Sequence, residues 1–191
     1  MRKTLFIFMS LVLVMLPGLA LSAPLVTNGG FETGDFTGWT QSGNLGFTGV
    51  ADYAAHSGNY GAFFGEVSSH GFISQTLPTV NGGIYDLHFW LQNNTGPSYG
   101  FNEFQVIWGD NTIRDQTNLD GFSYESVSFP GLIATGLTTK LTFGFRQDPS
   151  YFYFDDVSVT GAAVPEPATM LLLGSGLIGL AGYGRKKLFK K

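Results

Sequence analysis

Hydrophobic and polar residues alternate through much of the chain between residues 24 and 163. In the segment 84–92, IYDLHFWLQ, one set of alternate positions is hydrophobic and the other set is mostly polar: Tyr85, Leu87, Phe89 and Leu91, against Asp86, His88, Trp90 and Gln92. A period of two residues is typical of a β-strand with one buried face. The segments 104–108 and 141–145 repeat the pattern, and no stretch of useful length has a helical period.

Short groups of Gly, Pro, Asn and Asp separate these segments, for example at 81–83, 94–97 and 109–111. Such residues favour tight turns. About nine strands at this spacing predict an all-β fold, a jelly-roll β-sandwich. The chain contains 18 Phe, eight Tyr and three Trp, which supply much of the core, and we expect Trp39 and Trp108 to be buried there.

Acidic residues dominate residues 24–163, where thirteen Asp and Glu oppose Arg114, Lys140 and Arg146 and give a formal charge of −10. Proteins that bind nucleic acid place Lys and Arg against phosphates, so this balance argues against nucleic acid as a partner. It is compatible with a hard cation such as Ca²⁺ and also with simple solubility. The chain has no Cys, which excludes disulfides, thiolate metal sites and a Cys nucleophile.

The N-terminal segment 1–23 is predicted to be a secretory signal peptide. Arg2 and Lys3 precede an apolar run at 5–16, and Ala20 and Ser22 supply small residues before a cleavage site near residue 23. The alternative is an uncleaved membrane anchor, but the apolar run is shorter than the roughly 20 residues that a bilayer span needs. The mature domain is therefore expected to begin at residue 24 and to end at 161.

Residues 162–191 form a linker followed by a segment with three parts. Two prolines flank Glu166 and keep that stretch extended. The uncharged run 167–184 follows, and as a helix it would be about 27 Å long, just sufficient to cross a membrane. The basic end 185–191 is expected to stay in the cytoplasm, which places the acidic domain outside it.

These three parts together resemble the PEP-CTERM sorting domain: Val164, Pro165, Glu166 and Pro167, the apolar span, and Arg185, Lys186 and Lys187. The resemblance implies recognition of the motif by an exosortase, a membrane protease or transpeptidase, while the span and its basic end retain the protein in the membrane. The protein would then be exported, anchored in the inner membrane with its domain outside the cytoplasm, and processed to the cell surface or the extracellular matrix. The alternative is an ordinary single-span anchor.

Two ends of the middle domain carry a second resemblance. The segment 28–32 reads NGGFE and is followed by Gly-Trp at 38–39, 56–60 reads HSGNY, and 155–159 reads DDVSV. Together they resemble the galactose-binding-like jelly rolls that occur in many carbohydrate-binding modules. The resemblance implies that the first and last strands lie side by side and that the domain binds carbohydrate or exopolysaccharide.

The same resemblance implies a structural calcium ion between these ends. Glu32 and an Asp of the closing strand would supply carboxylates, and backbone carbonyls near Gly30 and Ser57 would complete the shell; such a mixture of oxygen ligands suits Ca²⁺. The alternative is that these acids accept hydrogen bonds from backbone amides at the strand ends. Of the two candidates in the closing strand, the strand period favours Asp155 over Asp156.

The period places Asp155 on the same face as Val157 and Val159, so we expect its side chain to point into the core. A buried carboxylate requires a partner. No Lys or Arg lies nearby in the sequence, which favours a metal ion as that partner.

The polar side of segment 84–92 is the candidate sugar-binding surface, since an exposed Trp beside hydrogen-bonding groups can stack on a sugar ring. Its residues are Asp86, His88, Trp90 and Gln92. The favoured alternative is that a second sheet or a loop covers this face and makes Trp90 a core residue. Tyr99, in a polar loop, is a further candidate for the rim of a site.

The sequence does not indicate an enzyme. His56, His70 and His88 lack metal-ligand spacing, no nucleophile motif lies in the domain, and no acid–base pair is singled out among the carboxylates. The expected function is carbohydrate binding at the cell surface. The alternatives are a structural or adhesive surface protein without a small ligand and, third, a glycan-acting hydrolase.

Overall fold

A computed structural model describes residues 25–161 and 174–176 of the chain. Ten β-strands are present in this part. They are β1 (Thr40–Gly43), β2 (Thr48–Ala51), β3 (Gly61–Phe64), β4 (Gly71–Pro78), β5 (Ile84–Asn93), β6 (Asn102–Trp108), β7 (Asn111–Thr117), β8 (Phe122–Ile133), β9 (Thr138–Gln147) and β10 (Phe152–Gly161). Two short 3₁₀ helices, Asp52–Ala54 and Pro97–Tyr99, lie in the connections.

The strands form two five-stranded antiparallel sheets that pack face to face. The first sheet has the order β1-β4-β9-β6-β7, and the second has the order β2-β3-β10-β5-β8. The predicted all-β sandwich is confirmed, with ten strands where about nine were expected. The strands β7 and β8 are edge strands of different sheets, and each pairs with one neighbour only.

Phenylalanine rings fill the space between the sheets. Phe64 and Phe145 stack with ring centroids 3.8 Å apart and an interplanar angle of 3°. Phe154, at the centre of the second sheet, contacts Phe143 across the core at 4.7 Å. Each such side chain contributes about 2 kcal/mol when it is removed from water, so the alternating aromatic positions account for much of the folding energy. Trp39 and Trp108 are buried, as predicted.

A β-bulge interrupts β10 and overturns one prediction. Asp155 pairs with Trp90, but Ser158 pairs with His88, so one extra residue lies in β10 between these positions. Asp156, within the bulge, has a left-handed backbone conformation with a φ of 53°. Because the bulge reverses the alternation, Val157 and Val159 face the core whereas Asp155 does not share their face. Asp155 is buried, as expected, but beneath a loop on the outer side of the second sheet.

Several predicted segments lie outside the described residues: the signal peptide, the linker, the Pro-Glu-Pro motif and the basic end. Of the predicted membrane span, residues 174–176 are described and are helical. Within residues 25–161 and 174–176, no helix has the length and apolar character needed to cross a membrane. The boundaries of the signal peptide and the sorting segment stay predictions.

Candidate functional site

The connection between β2 and β3, residues 52–60, lies across the outer face of the second sheet and holds much of the candidate chemistry. Tyr53 packs on Phe63 and Tyr153. Farther along, the Tyr124 hydroxyl donates a hydrogen bond to the Ala54 carbonyl at 2.5 Å. This segment, which we call the crossing segment, therefore extends from β3 over β10 to β8.

Asp155 lies beneath the crossing segment and is fully buried. Its Oδ2 accepts hydrogen bonds from the backbone N–H of His56 at 2.8 Å and of Ser57 at 3.1 Å. Its Oδ1 accepts a third from the N–H of Asp156 at 2.7 Å. Burial raises the pKa of Asp155 to about 6, and the three N–H donors limit the rise because they favour the charged form.

Asp156 and Glu32 also hold this segment. The Asp156 carboxylate lies 2.7 Å from Nδ1 of His56 and accepts a 2.8 Å hydrogen bond from the Ser57 hydroxyl. Glu32 accepts hydrogen bonds from the backbone N–H of Tyr60 and Asn59 at 2.9 to 3.1 Å, and these bonds lower its pKa. The predicted metal residues are thus brought together, but backbone amides occupy much of their acceptor capacity.

Gly30 lies between these carboxylates. A Cβ at this position would be 3.6 Å from Asp156 Oδ1, 3.8 Å from Asp155 Oδ1 and 3.8 Å from Glu32 Cγ. Two aspartate oxygens therefore converge on a small space beside the backbone. Within residues 25–161 and 174–176, no three Asp, Glu or His side chains are grouped closely enough to hold a metal ion by themselves. A cation here would need backbone or water oxygens in addition, which is common for Ca²⁺.

The predicted sugar-binding row on β5 is partly occupied by protein contacts. The His56 ring stacks on Trp90 at 3.8 Å and 16°. His88 Nε2 lies 2.8 Å from the Ser126 hydroxyl, and Asp86 accepts a hydrogen bond from the Gly131 N–H at 2.8 Å. A loop residue does cover Trp90, yet Trp90 stays partly exposed and outside the core. The alternative that made it a core residue is wrong.

Gln92, the last residue of that row, borders a surface depression of about 420 Å³. We call it the loop depression; it lies between the loop after β5 and the start of β8. It is lined by Gln92, Asn93, Asn94, Thr95, Gly96, Tyr99, Gly121, Phe122 and Ser123. Tyr99 is 72% exposed at this depression.

Hydrogen bonds fix the floor of the loop depression. The side-chain amide of Asn93 donates to the carbonyls of Leu119 and Asp120 at 3.1 and 3.0 Å, which ties the two loops together. Thr95 Oγ1 is buried and has no hydrogen-bond partner among the described residues. Because this atom is not exposed to solvent, it belongs to the floor of the loop depression and is not a group offered to a ligand.

Tyrosine rings continue the surface on the other side of Gln92. Gln92 is the pairing partner of Tyr153 on β10. Tyr151 and Tyr153 present nearly parallel rings, 6.5 Å apart with an interplanar angle of 5°.

Thr95 and Ser123 were not singled out from the sequence, because polar loop residues carry no signal that separates a binding loop from any other loop.

Comparison with solved structures places the domain among carbohydrate-binding-module jelly rolls. TmCBM61, solved in complex with β-1,4-galactotriose, superposes with a TM-score of 0.58 at 22% identity over 72% of this chain and 98% of its own. The xylan-binding domain from CBM 22 gives 0.53 at 16% identity, over 75% and 98%. The K3 cleaved adhesin domain of Lys-gingipain from Porphyromonas gingivalis gives 0.55 at 17% identity, over 73% and 98%. At these identities, the likeness is one of fold.

A family model adds the second part of the identification. Residues 163–186 match the PEP-CTERM protein-sorting motif, which confirms that resemblance. The match includes the Pro-Glu-Pro triplet and the first two basic residues, Arg185 and Lys186. No curated protein sequence matches the chain. The chain therefore joins a domain with the fold of carbohydrate-binding modules to a protein-sorting motif.

Proposed function

We propose that the protein is a non-catalytic, surface-sorted carbohydrate-binding protein, and that the loop depression is its sugar site. The observation that carries the proposal is the lining of this depression: a largely exposed Tyr99 beside the amides of Gln92 and Asn94 and the hydroxyl of Ser123. A pyranose ring has an apolar face that stacks on an aromatic ring and hydroxyl groups that exchange hydrogen bonds with amides. The depression presents both kinds of group within reach of one sugar unit.

The fold supports this assignment at the level of class. Two proteins of this architecture bind sugars: TmCBM61 was solved with β-1,4-galactotriose, and the CBM 22 domain is a xylan-binding domain. We infer a neutral polysaccharide as the ligand of the loop depression, because no charged side chain lines it. A strongly acidic domain surface also disfavours anionic ligands at a site without a local cation.

The sorting motif supports a location. We propose that an exosortase-type protease recognises Pro165, Glu166 and Pro167, that the apolar span and Lys187 retain the protein at the inner membrane, and that processing delivers the domain to the cell surface. A polysaccharide-binding domain at that location would contact the extracellular matrix.

We also propose a structural Ca²⁺ at the cradle beside Gly30. Asp155 Oδ1 and Asp156 Oδ1 would supply the carboxylate oxygens, and Glu32 and the backbone near Ser57 lie at its border. The ion would neutralise two adjacent carboxylates and hold the closing strand against the opening loop. Its support is the convergence of hard oxygen donors.

An adhesive function without a small ligand is the second candidate. It is favoured by the similarity of fold to the Lys-gingipain adhesin domain. The two candidates differ in one observable property, since an adhesin would hold a protein surface and a lectin would retain isolated glycans.

Binding to a panel of soluble polysaccharides, including that of the producing cell, tests the first candidate. We expect Tyr99→Ala to weaken binding about ten-fold, because the stacking platform is removed. Tyr53→Ala is the matched control, since Tyr53 is 65% exposed but lies outside the loop depression. If the parent domain retains no polysaccharide, carbohydrate binding fails as the function. If Tyr53→Ala reduces binding as much as Tyr99→Ala, the site is not the loop depression.

A further inference from the structure

A second groove opens where the two sheets end side by side. The edge strands β7 and β8 border a depression of about 530 Å³, which we call the edge groove. It is lined by Ile113, Arg114, Asp115 and Gln116 from β7 and by Val127, Ser128 and Phe129 from β8. It is separate from the loop depression: Ser123 and Ser128 are five residues apart on β8, about 17 Å along the strand.

Arg114 lies at the centre of the edge groove in a fixed orientation. It pairs with Val106 of β6, a core position, so its side chain extends along the inner side of the sheet. Its guanidinium carbon lies 5.6 Å from the centre of the Phe104 ring. Its Nε donates a 2.7 Å hydrogen bond to Gln116 Oε1, which sets the plane of the group.

This guanidinium is half-buried and has no ion-pair partner among the described residues. Burial lowers the pKa of Arg114, while the negative charge of Glu125 opposes that shift. Arg146 offers a contrast, because its Nη2 lies 2.7 Å from Asp148 Oδ2. None of the described residues accepts a hydrogen bond from the Nη atoms of Arg114. A partly desolvated cation with free donors gains free energy from an anionic ligand.

We propose that the edge groove binds a carboxylate-bearing sugar unit of an acidic polysaccharide. The free side of the Arg114 guanidinium receives the carboxylate in a two-point hydrogen bond, a geometry that suits arginine better than lysine. Phe129 and Ile113 provide apolar walls for the ring. Gln116, which pairs with Phe104 on the same side as Arg114, is placed to exchange hydrogen bonds with ring hydroxyl groups.

The acidic groups around the groove narrow the ligand class further. Asp115 lines the groove and Glu125 lies near it, and both accept hydrogen bonds from sugar hydroxyls but repel a second carboxylate. The whole domain carries −10 between residues 24 and 163. The site therefore fits an isolated carboxylate that neutral sugars flank, and it disfavours a continuous acidic peptide.

Matched oligosaccharides test the proposal. The probes are soluble fragments of hyaluronan, gellan and xanthan, in which neutral sugars separate the uronate units, each compared with its carboxyl-reduced form. Titration calorimetry on the full ectodomain is expected to show at least one acidic probe binding about ten-fold more tightly than its reduced form. If no acidic probe exceeds its reduced form, the proposal is overturned. If polyglutamate displaces the bound probe at equal carboxylate concentration, the assignment to a sugar is overturned.

Substitutions test whether the preference for acidic probes arises at the edge groove. Arg114→Gln is expected to abolish the preference for the acidic form, whereas Lys140→Gln, which causes the same change in net charge at an exposed position of β9, is expected to retain it. Arg114→Lys keeps the positive charge but cannot form the two-point hydrogen bond, and it is expected to reduce the preference for the acidic form several-fold even if Arg114→Gln is poorly folded. Equal losses in Arg114→Gln and Lys140→Gln would overturn the proposal.

The experiments distinguish failure of the edge-groove proposal from failure of the proposed sugar site at the loop depression. Tyr99→Ala should leave the difference between acidic and reduced probes unchanged, and Arg114→Gln should leave binding of neutral polysaccharides unchanged. Binding of neutral glycans without any acidic preference would overturn the edge groove alone.

Discussion

Asp155 and Glu66 are the two acidic side chains that are buried completely in the described part of the chain, and their surroundings differ. Three backbone N–H groups donate to Asp155. Glu66 receives one hydrogen bond, from the Thr48 hydroxyl, and its Oε2 has no partner among the described residues. Burial raises the pKa of Glu66 to about 7 and that of Asp155 to about 6. Burial alone therefore does not distinguish a carboxyl group that organises its neighbours from one that is poorly accommodated.

The largest effect is expected from removal of the Asp155 carboxylate. Asp155→Ala leaves the N–H groups of His56, Ser57 and Asp156 without their acceptor and should lower the free energy of unfolding by about 4 kcal/mol. Urea denaturation measures it. Asp155→Asn keeps one acceptor oxygen and should cost less than half as much. Equal losses in the two variants would show that the hydrogen bonds are not the cause.

Addition of Ca²⁺ should affect the two regions differently, since two aspartate oxygens converge beside Gly30, whereas Glu66 is a single buried carboxyl group. At one hundred times its Kd, Ca²⁺ should stabilise the domain by about 2.7 kcal/mol. The rise in Tm should disappear in Asp156→Asn, which removes the negative charge of one of the two carboxylates beside Gly30. It should persist in Asp115→Asn, an exposed control. Absence of a Ca²⁺-dependent rise in the parent domain would reject the structural calcium site.

For Glu66, the expected change in stability on substitution has the opposite sign to that for Asp155. The pKa of Glu66 is about 7 in the folded domain against an ordinary value of 4.5, so its contribution to stability is complete below pH 4.5 and is lost as the pH rises through about 7. Glu66→Gln should therefore stabilise the domain by about 2 kcal/mol at pH 8 and have little effect at pH 4.5. Thermal unfolding at both pH values measures this. Asp110→Asn, at an exposed position, should change neither value, and a loss of stability in Glu66→Gln at pH 8 would contradict the interpretation.

The contrast between these carboxyl groups also marks the limit of what the sequence predicts. Alternation identified the strands, and the aromatic content identified the core, because both follow from local patterning. The resemblance at the chain ends correctly brought residues 28–32, 56–60 and 155–159 together. The opening segment is a series of turns, however, and not the strand that the resemblance implied, and the first strand, β1, lies in the other sheet from β10. The orientation of Asp155 was wrong because a single-residue bulge is invisible to a period-two argument. Glu66 carries no signal at all, since its burial depends on long-range packing against Thr48 and Gly71.

The candidate ligand site was predictable only in part for the same reason. Gln92 and Tyr99 were identified because one lies on a patterned strand and the other is an aromatic residue in a polar loop. Thr95 and Ser123 join them through the contact between two loops that are distant in the sequence. The edge groove arises where β7 and β8 approach from different sheets, and strand order across a sandwich does not follow from patterning.

The smallest effect is expected at the outer edge of the Asp155 region, where His56 connects it to the sheet surface. The His56 ring lies between Asp156, at 2.7 Å, and Trp90, with ring centroids 3.8 Å apart. His56→Ala removes the stacked ring but leaves the backbone N–H that donates to Asp155, so the loss of stability should be about 1 kcal/mol. Trp90 should become more exposed, and its fluorescence should shift to the red while the buried Trp39 and Trp108 are unaffected. Asn59→Ala, in the same segment but away from Trp90, is the control. An unshifted emission in His56→Ala would mean that the ring does not shield Trp90, and that its indole is already available as the sugar platform predicted from the alternation.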